Sequence, residues 1–134
     1  MRVVGCFLEH DGKFVLLRRH SHKPEGGTLG LPGGKVEPGE SDQQAVIREL
    51  IEETGYSVKN DELELLGEFS FETSEGKPYV YVTYKVQLDA DHDVVLEDSA
   101  QSEFMWLTPE ECYGRTDLIK DLKNLLQIVG YINR

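Results

Sequence analysis

Residues 34–56 read GKVEPGESDQQAVIRELIEETGY, and this stretch sets carboxylates at Glu37, Glu40, Asp42, Glu49, Glu52 and Glu53 against an otherwise helical pattern. Ser41 is a favourable N-cap, Gln44 completes a capping box three residues later, and Gly55 supplies a left-handed stop. At roughly 100° per residue, Val46, Ile47, Leu50 and Ile51 fall on one side of the helix, and Glu49, Glu52 and Glu53 share an arc of roughly 100° on the other. Like charges three and four residues apart repel by roughly 0.2–0.5 kcal/mol per pair, and near a helix C-terminus the macrodipole adds to the penalty. The residues alone leave two readings open. One is a solvated acidic face. The other is an oxygen-rich site for Mg²⁺ or Mn²⁺, with Glu40 available from the preceding loop and Arg48 orienting one carboxylate.

Working outward, VVGCFLE (3–9) and FVLLRR (14–19) flank Asp11-Gly12, a strong hairpin signal. Residues 20–34 read as loop, because Pro24, Pro32 and closely spaced glycines forbid a long helix. Downstream, LELLGEFSFET (63–73) and YVYVTYKVQL (79–88) suggest a second hairpin through Gly76 and Pro78. EFMWLT (103–108) reads as a short strand, and Thr108 caps a helical turn with Pro109 at its first position. TDLIKDLKNLLQIVGYI (116–132) reads as a closing amphipathic helix. The expected architecture is a single α/β domain over residues 1–134, with helices packed on a mixed, mostly antiparallel sheet.

Against 14 Lys and Arg stand 25 Asp and Glu, a formal net charge of −11, which repels a nucleic-acid backbone and disfavours large nucleic-acid partners. A small polyphosphate is not excluded, since a bound divalent cation inverts the local field. No apolar run approaches the length of a membrane span, and Glu9 interrupts any signal-peptide core, so no membrane partner and a cytoplasmic location are expected. Cys6 and Cys112 lack metal-ligand spacing and read as reduced structural thiols.

The spacing within the opening stretch narrows the choice. Gly34, Glu40, Arg48-Glu49-Leu50, Glu52-Glu53 and Gly55-Tyr56 stand at the intervals of the Nudix signature, and the chain resembles the Nudix hydrolases. LPGGKVEPGE before the helix and EFMWLTPEE near the end are also similar to Nudix segments. The resemblance implies an α/β/α sandwich and a Mg²⁺- or Mn²⁺-dependent hydrolase that cleaves a pyrophosphate bond in a nucleoside diphosphate linked to another group. It implies Glu49, Glu52 and Glu53 as metal ligands, Glu40 as a ligand to metal or its water shell, and Arg48 as the residue orienting a motif glutamate. Such chemistry calls for divalent ions to neutralise repelling phosphate oxygens and activate water, and Gly33 and Gly34 let the backbone approach them.

Water activation has several candidates. Some Nudix enzymes use a carboxylate ahead of the Trp strand, and here that loop offers Glu103 first, then Glu97 and Asp98, with Glu52 or Glu53 as alternatives within the helix. Ala100-Gln101 stands where many relatives carry a Glu-His pair. Arg18, Arg19 and Lys35 lie near the glycine loop in sequence and are candidate phosphate contacts, although alternation sends only one of the two arginines to any one face. Phe69, Phe71, Tyr79, Tyr81 and Tyr84 are candidates for stacking a base or for packing, and His20, His22 and Lys23 for a phosphate-facing loop. DADHDVVLE from Asp89 lacks the glycine and final glutamate of a calcium loop. Family marks for ADP-ribose, dinucleoside polyphosphates and coenzyme A are missing, with Glu72, Thr73 and Ser74 where the first two would stand, and Leu29 replaces a common Trp. By elimination a nucleoside triphosphate is the default substrate, with ADP-ribose, nucleotide sugars and dinucleoside polyphosphates as alternatives. A non-catalytic nucleotide-sensing domain is the competing class. An exposed edge strand would also suit a homodimer.

Overall fold

Asp11 and Gly12 both take positive φ, 52° and 75°, and close the first hairpin between β1 (Arg2–His10) and β2 (Lys13–Arg19). In the computed structural model, which describes residues 1–88 and 101–133, these strands pair only beside their turn, at Glu9↔Phe14 and His10↔Lys13. Beyond that they splay. The gap is filled from the segment expected to be plain loop: β3 (Leu29–Gly30) pairs antiparallel with β2, and β4 (Gly33–Lys35) pairs antiparallel with β1. Strands of two and three residues are too short to show an alternation, so composition alone could not reveal them.

The second hairpin forms as expected, from β5 (Glu64–Glu72) and β6 (Pro78–Gln87). β6 lies parallel to β1, with Arg2 opposite Val80 and Glu9 opposite Gln87, and β7 (Gln101–Leu107) runs antiparallel to β2. Among the described residues the result is a seven-stranded mixed sheet.

Helices cover both faces. α1 (Asp42–Thr54) starts at the expected capping box, in which Ser41 Oγ accepts from Gln44 N–H at 3.1 Å and Gln44 Oε1 accepts from Ser41 N–H at 2.8 Å. It ends at Gly55 in the left-handed conformation (φ 76°). Its buried side meets Val4, Cys6, Leu8, Val15 and Leu17. The alternate residues Phe7, Phe14 and Leu16 face α2 (Pro109–Tyr113) and α3 (Leu122–Ile128) across the sheet. Both cysteines are buried free thiols. The closing helix is shorter than its periodicity suggests. Leu29 N–H donates to Asp117 O and Ile119 N–H to Leu29 O, so residues 117–119 extend beside β3. Asp121 at φ 71° then turns the chain into α3. Among the described residues no helix is long and apolar enough to cross a membrane.

Candidate active site

The buried stripe of α1 runs through Ala45, Val46, Leu50, Glu53 and Thr54. Two residues thus depart from the helical-wheel expectation. Ile51 is 48% exposed, and Glu53, expected on the acidic face, is only 4% exposed. Glu53 is drawn inward by a long-range partner, since Gly33 N–H donates to its Oε1 at 2.7 Å. A buried carboxylate needs such a donor; the i, i+4, i+7 spacing of Val46, Leu50 and Glu53 sets Glu53 beside the buried stripe, but nothing within the helix announces the donor.

Arg48 gathers the remaining carboxylates. Its Nε and Nη2 donate to Glu40 Oε2 and Oε1 at 2.7 and 3.0 Å, a bidentate pair. Its Nη1 donates to Glu49 Oε1 at 2.7 Å and more weakly to Glu52 Oε2 at 3.4 Å, while Nη2 also reaches Lys35 O at 3.2 Å. Glu37 lies 3.8 Å away. Hydrogen bonding to Arg48, helped by the Glu37 N–H, lowers the Glu40 pKa from 4.5 to about 2. The Arg48 pKa is raised in turn, chiefly by Glu40. One guanidinium therefore faces four carboxylates, on a helix with no basic residue in its last turn.

Gly33 and Gly34 bring backbone against this cluster. A Cβ on Gly33 would collide with the Val4 carbonyl and sit 2.9 Å from Gly5 Cα; one on Gly34 would sit 2.6 Å from Glu49 Oε1. The donors present, carboxylate oxygens and backbone, suit a hard divalent cation. Among the described residues no three His, Cys, Asp or Glu side chains converge as a finished ligand set. Glu49 and Glu52 instead turn to Arg48, with side-chain exposures of 14% and 48%.

A cavity of about 160 Å³ opens beside the two glycines. Leu31, Tyr79, Tyr81 and Ile119 give it apolar and aromatic walls, and Arg19, Lys120, Glu25 and Glu72 add charge. Arg19 lies on the cavity and Arg18 does not. Arg18 Nε is paired with Glu103, and its Nη1 donates to Gly27 O at 2.6 Å and Asp117 Oδ2 at 3.1 Å. Arg115 makes a second, bidentate pair to Asp117, with both bonds at 2.8 Å. Burial works against the Arg18 charge, but Glu103 and Asp117 hold its pKa above the ordinary value. The structure thus places the two residues expected to bind phosphate and activate water, Arg18 and Glu103, against each other. Arg19 Nε donates to Pro24 O at 2.9 Å, and no carboxylate pairs with Arg19 among the described residues.

Of the five aromatic candidates, Tyr79 and Tyr81 line the cavity, Phe69 and Phe71 pack on the same face of the sheet, and Tyr84 belongs to the opposite core. Lys35 is exposed, and His20 and His22 meet at a tilt of 50° with centroids 5.0 Å apart, outside the cavity wall. Glu97, Asp98 and the Asp89 segment lie outside the described residues. Lys120 and Glu25 carried no sequence signal. They meet because Glu25 Oε1 accepts from Lys120 N–H at 3.0 Å across 95 residues of chain.

The NUDIX domain family model matches residues 1–127. The chain belongs to the Nudix family. Relatives agree with this: a Bacillus subtilis protein described as an uncharacterised Nudix hydrolase is 35% identical over 78% of this chain and 64% of its own length. An ADP-ribose pyrophosphatase of Methanocaldococcus jannaschii is 32% identical over 88% of this chain and 70% of that protein. The crystal structure of a MutT protein from Methanosarcina mazei superposes with a TM-score of 0.82 at 26% identity, covering 96% of this chain and 91% of the other. The Nudix domain described here accordingly has the α/β/α sandwich of MutT-like neighbours, and Nudix hydrolases generally use divalent metals.

Proposed function

We propose that this Nudix domain is a Mg²⁺-dependent hydrolase, with Mn²⁺ as substitute, acting on a nucleoside diphosphate linked to another group. The observation that carries this reading is the excess of carboxylates around Arg48 beside a glycine-floored cavity. Glu49, Glu52 and Glu53 would hold the cation, with Glu40 at its water shell. The bound cation would neutralise phosphate oxygens and lower the pKa of water. Arg48 holds Glu40 and Glu49 in place until then, and Gly33 N–H fixes Glu53. Glu52, half exposed and held among the described residues only by the long Arg48 contact, is best placed to accept the water's proton. Glu103 would first have to leave Arg18.

The cavity is smaller than the ~300 Å³ at which pockets begin to enclose a whole drug-sized ligand. It therefore takes one part of the substrate, the base, against Tyr79, while the phosphates run along Gly33 and Gly34. Arg19 takes the phosphate role expected of Arg18. A nucleoside triphosphate, cleaved to monophosphate and pyrophosphate, is the default substrate.

The test is turnover of nucleoside triphosphates, ADP-ribose, nucleotide sugars and dinucleoside polyphosphates with Mg²⁺ in ¹⁸O-water, read by mass spectrometry beside Glu53→Gln. Metal-dependent cleavage of at least one compound, lost in the variant, is expected. Binding of a nucleotide without cleavage of any would sink the hydrolase and favour a sensing domain.

A further inference from the structure

The Gly5 position shows which group the substrate meets opposite the carboxylate cluster. Gly5 lies directly across from Gly33 in the β1–β4 pairing. A Cβ on Gly5 would collide with the Tyr81 hydroxyl and would stand 2.6 Å from Tyr81 Cζ. The absence of a side chain at residue 5 is thus what lets the Tyr81 ring lie on β1 with its hydroxyl over the strand. Across the pairing, Gly33 shares the cavity wall with Tyr81, and its own N–H holds Glu53.

Three further observations define the hydroxyl's surroundings. Tyr81 lines the cavity together with Gly33 and Gly34. Its hydroxyl has no hydrogen-bond partner among the described residues, whereas the Tyr131 hydroxyl on the same face of the sheet donates to Glu9. The Tyr81 ring meets Phe71 edge-on, with centroids 6.3 Å apart and planes at 80°, and lies 6.3 Å from Tyr79. Packed against Phe71 and laid over Gly5, the ring is anchored. What Tyr81 offers the cavity is a polar tip. A phenol in a largely apolar wall is a donor in search of an acceptor, and the acceptor that a Nudix substrate brings to the glycine floor is a phosphate oxygen.

We propose that the Tyr81 hydroxyl donates a hydrogen bond to a non-bridging oxygen of the substrate's phosphate chain, and that Gly5 is the residue that admits it. The inference rests on the hydrolase reading above and adds to it a contact from outside the Nudix motif. It divides the labour of the two tyrosines: Tyr79 supplies a ring face and Tyr81 a hydroxyl.

The experiment is calorimetric titration of α,β-methylene-ADP with Mg²⁺ into wild type, Tyr81→Phe and Gly5→Ala, with Tm recorded for each. Tyr81→Phe keeps the ring and its packing, and a hydrogen bond to a charged acceptor predicts binding weakened about 10-fold or more at unchanged Tm. Gly5→Ala displaces the ring and should weaken binding at least as much. If Gly5→Ala fails to fold, Tyr81→Phe alone carries the test. Equal affinity of wild type and Tyr81→Phe overturns the assignment while leaving the hydrolase intact. Failure of wild type to bind overturns it too, and the turnover panel then shows independently whether the hydrolase reading also falls.

Discussion

Two arginines on this sheet and helix each gather carboxylates, and the difference between them separates a site from a lock. Among the described residues the charges around Arg18 balance, because Arg18 and Arg115 share Glu103 and Asp117. Around Arg48 they do not: Glu37, Glu40, Glu49 and Glu52 all lie within 4 Å of a single guanidinium. A balanced cluster satisfies itself and ties β2, β7 and the chain before α3 together. An unbalanced one leaves net negative charge and so has work left for a cation. Ion pairs look alike in both places. The sum of charge distinguishes them.

Substitutions can break this contrast. The largest effect is expected from Glu53→Gln, which keeps an acceptor for Gly33 N–H while removing the charge. Nucleotide turnover should fall by roughly 10²–10³-fold, and a variant as active as wild type would remove Glu53 from the chemistry. Arg48→Gln should lower kcat at saturating Mg²⁺ by roughly 10–100-fold, the range for residues that orient metal ligands, with circular dichroism unchanged. In the balanced cluster, Arg115→Gln should leave turnover alone and lower Tm by about 2–5 °C, as befits a partly exposed pair worth about 1 kcal/mol or less. A larger loss of activity than of Tm there would erase the distinction.

The smallest effect concerns acid. Because Arg48 depresses the Glu40 pKa from 4.5 to about 2, the pair's contribution is fully present above the unfolded value and fades as pH falls from about 4.5 through about 2. In Glu40→Gln that part of the dependence should vanish, giving a flatter curve of Tm against pH over that window. An unchanged slope would show that Arg48 does not hold Glu40 in solution.

How much of this was legible beforehand follows from the range of each interaction. Ser41, Gln44 and Gly55 cap α1 through partners at most four residues away, and Asp11-Gly12 closes its own turn, so these features stand in the sequence. The motif glutamates were legible through their spacing. The partner that satisfies Glu53 was not, because that donor lies twenty residues upstream, even though Glu53 follows Val46 and Leu50 at the helical period. The preference for Arg19 over Arg18 at the cavity was equally hidden, since alternation says that the two point apart and not which face is open. The closing helix was overread because the pairing of 117–119 with Leu29 competes with a good helical pattern.

The splayed hairpin has a kinetic consequence. α1 carries its own caps and can begin to form from nearby residues, whereas Gly33 reaches Glu53 only after β4 has docked on β1, a pairing that spans 28 residues at Gly5↔Gly33. Non-local pairing of this kind closes late in folding. Once closed, Gly33 and Gly34 are stitched into the sheet, so releasing them means opening the β1–β4 pairing. Their amide protons should therefore exchange with solvent nearly as slowly as those of the core strands, an unusual trait for glycines in a segment that composition describes as loop.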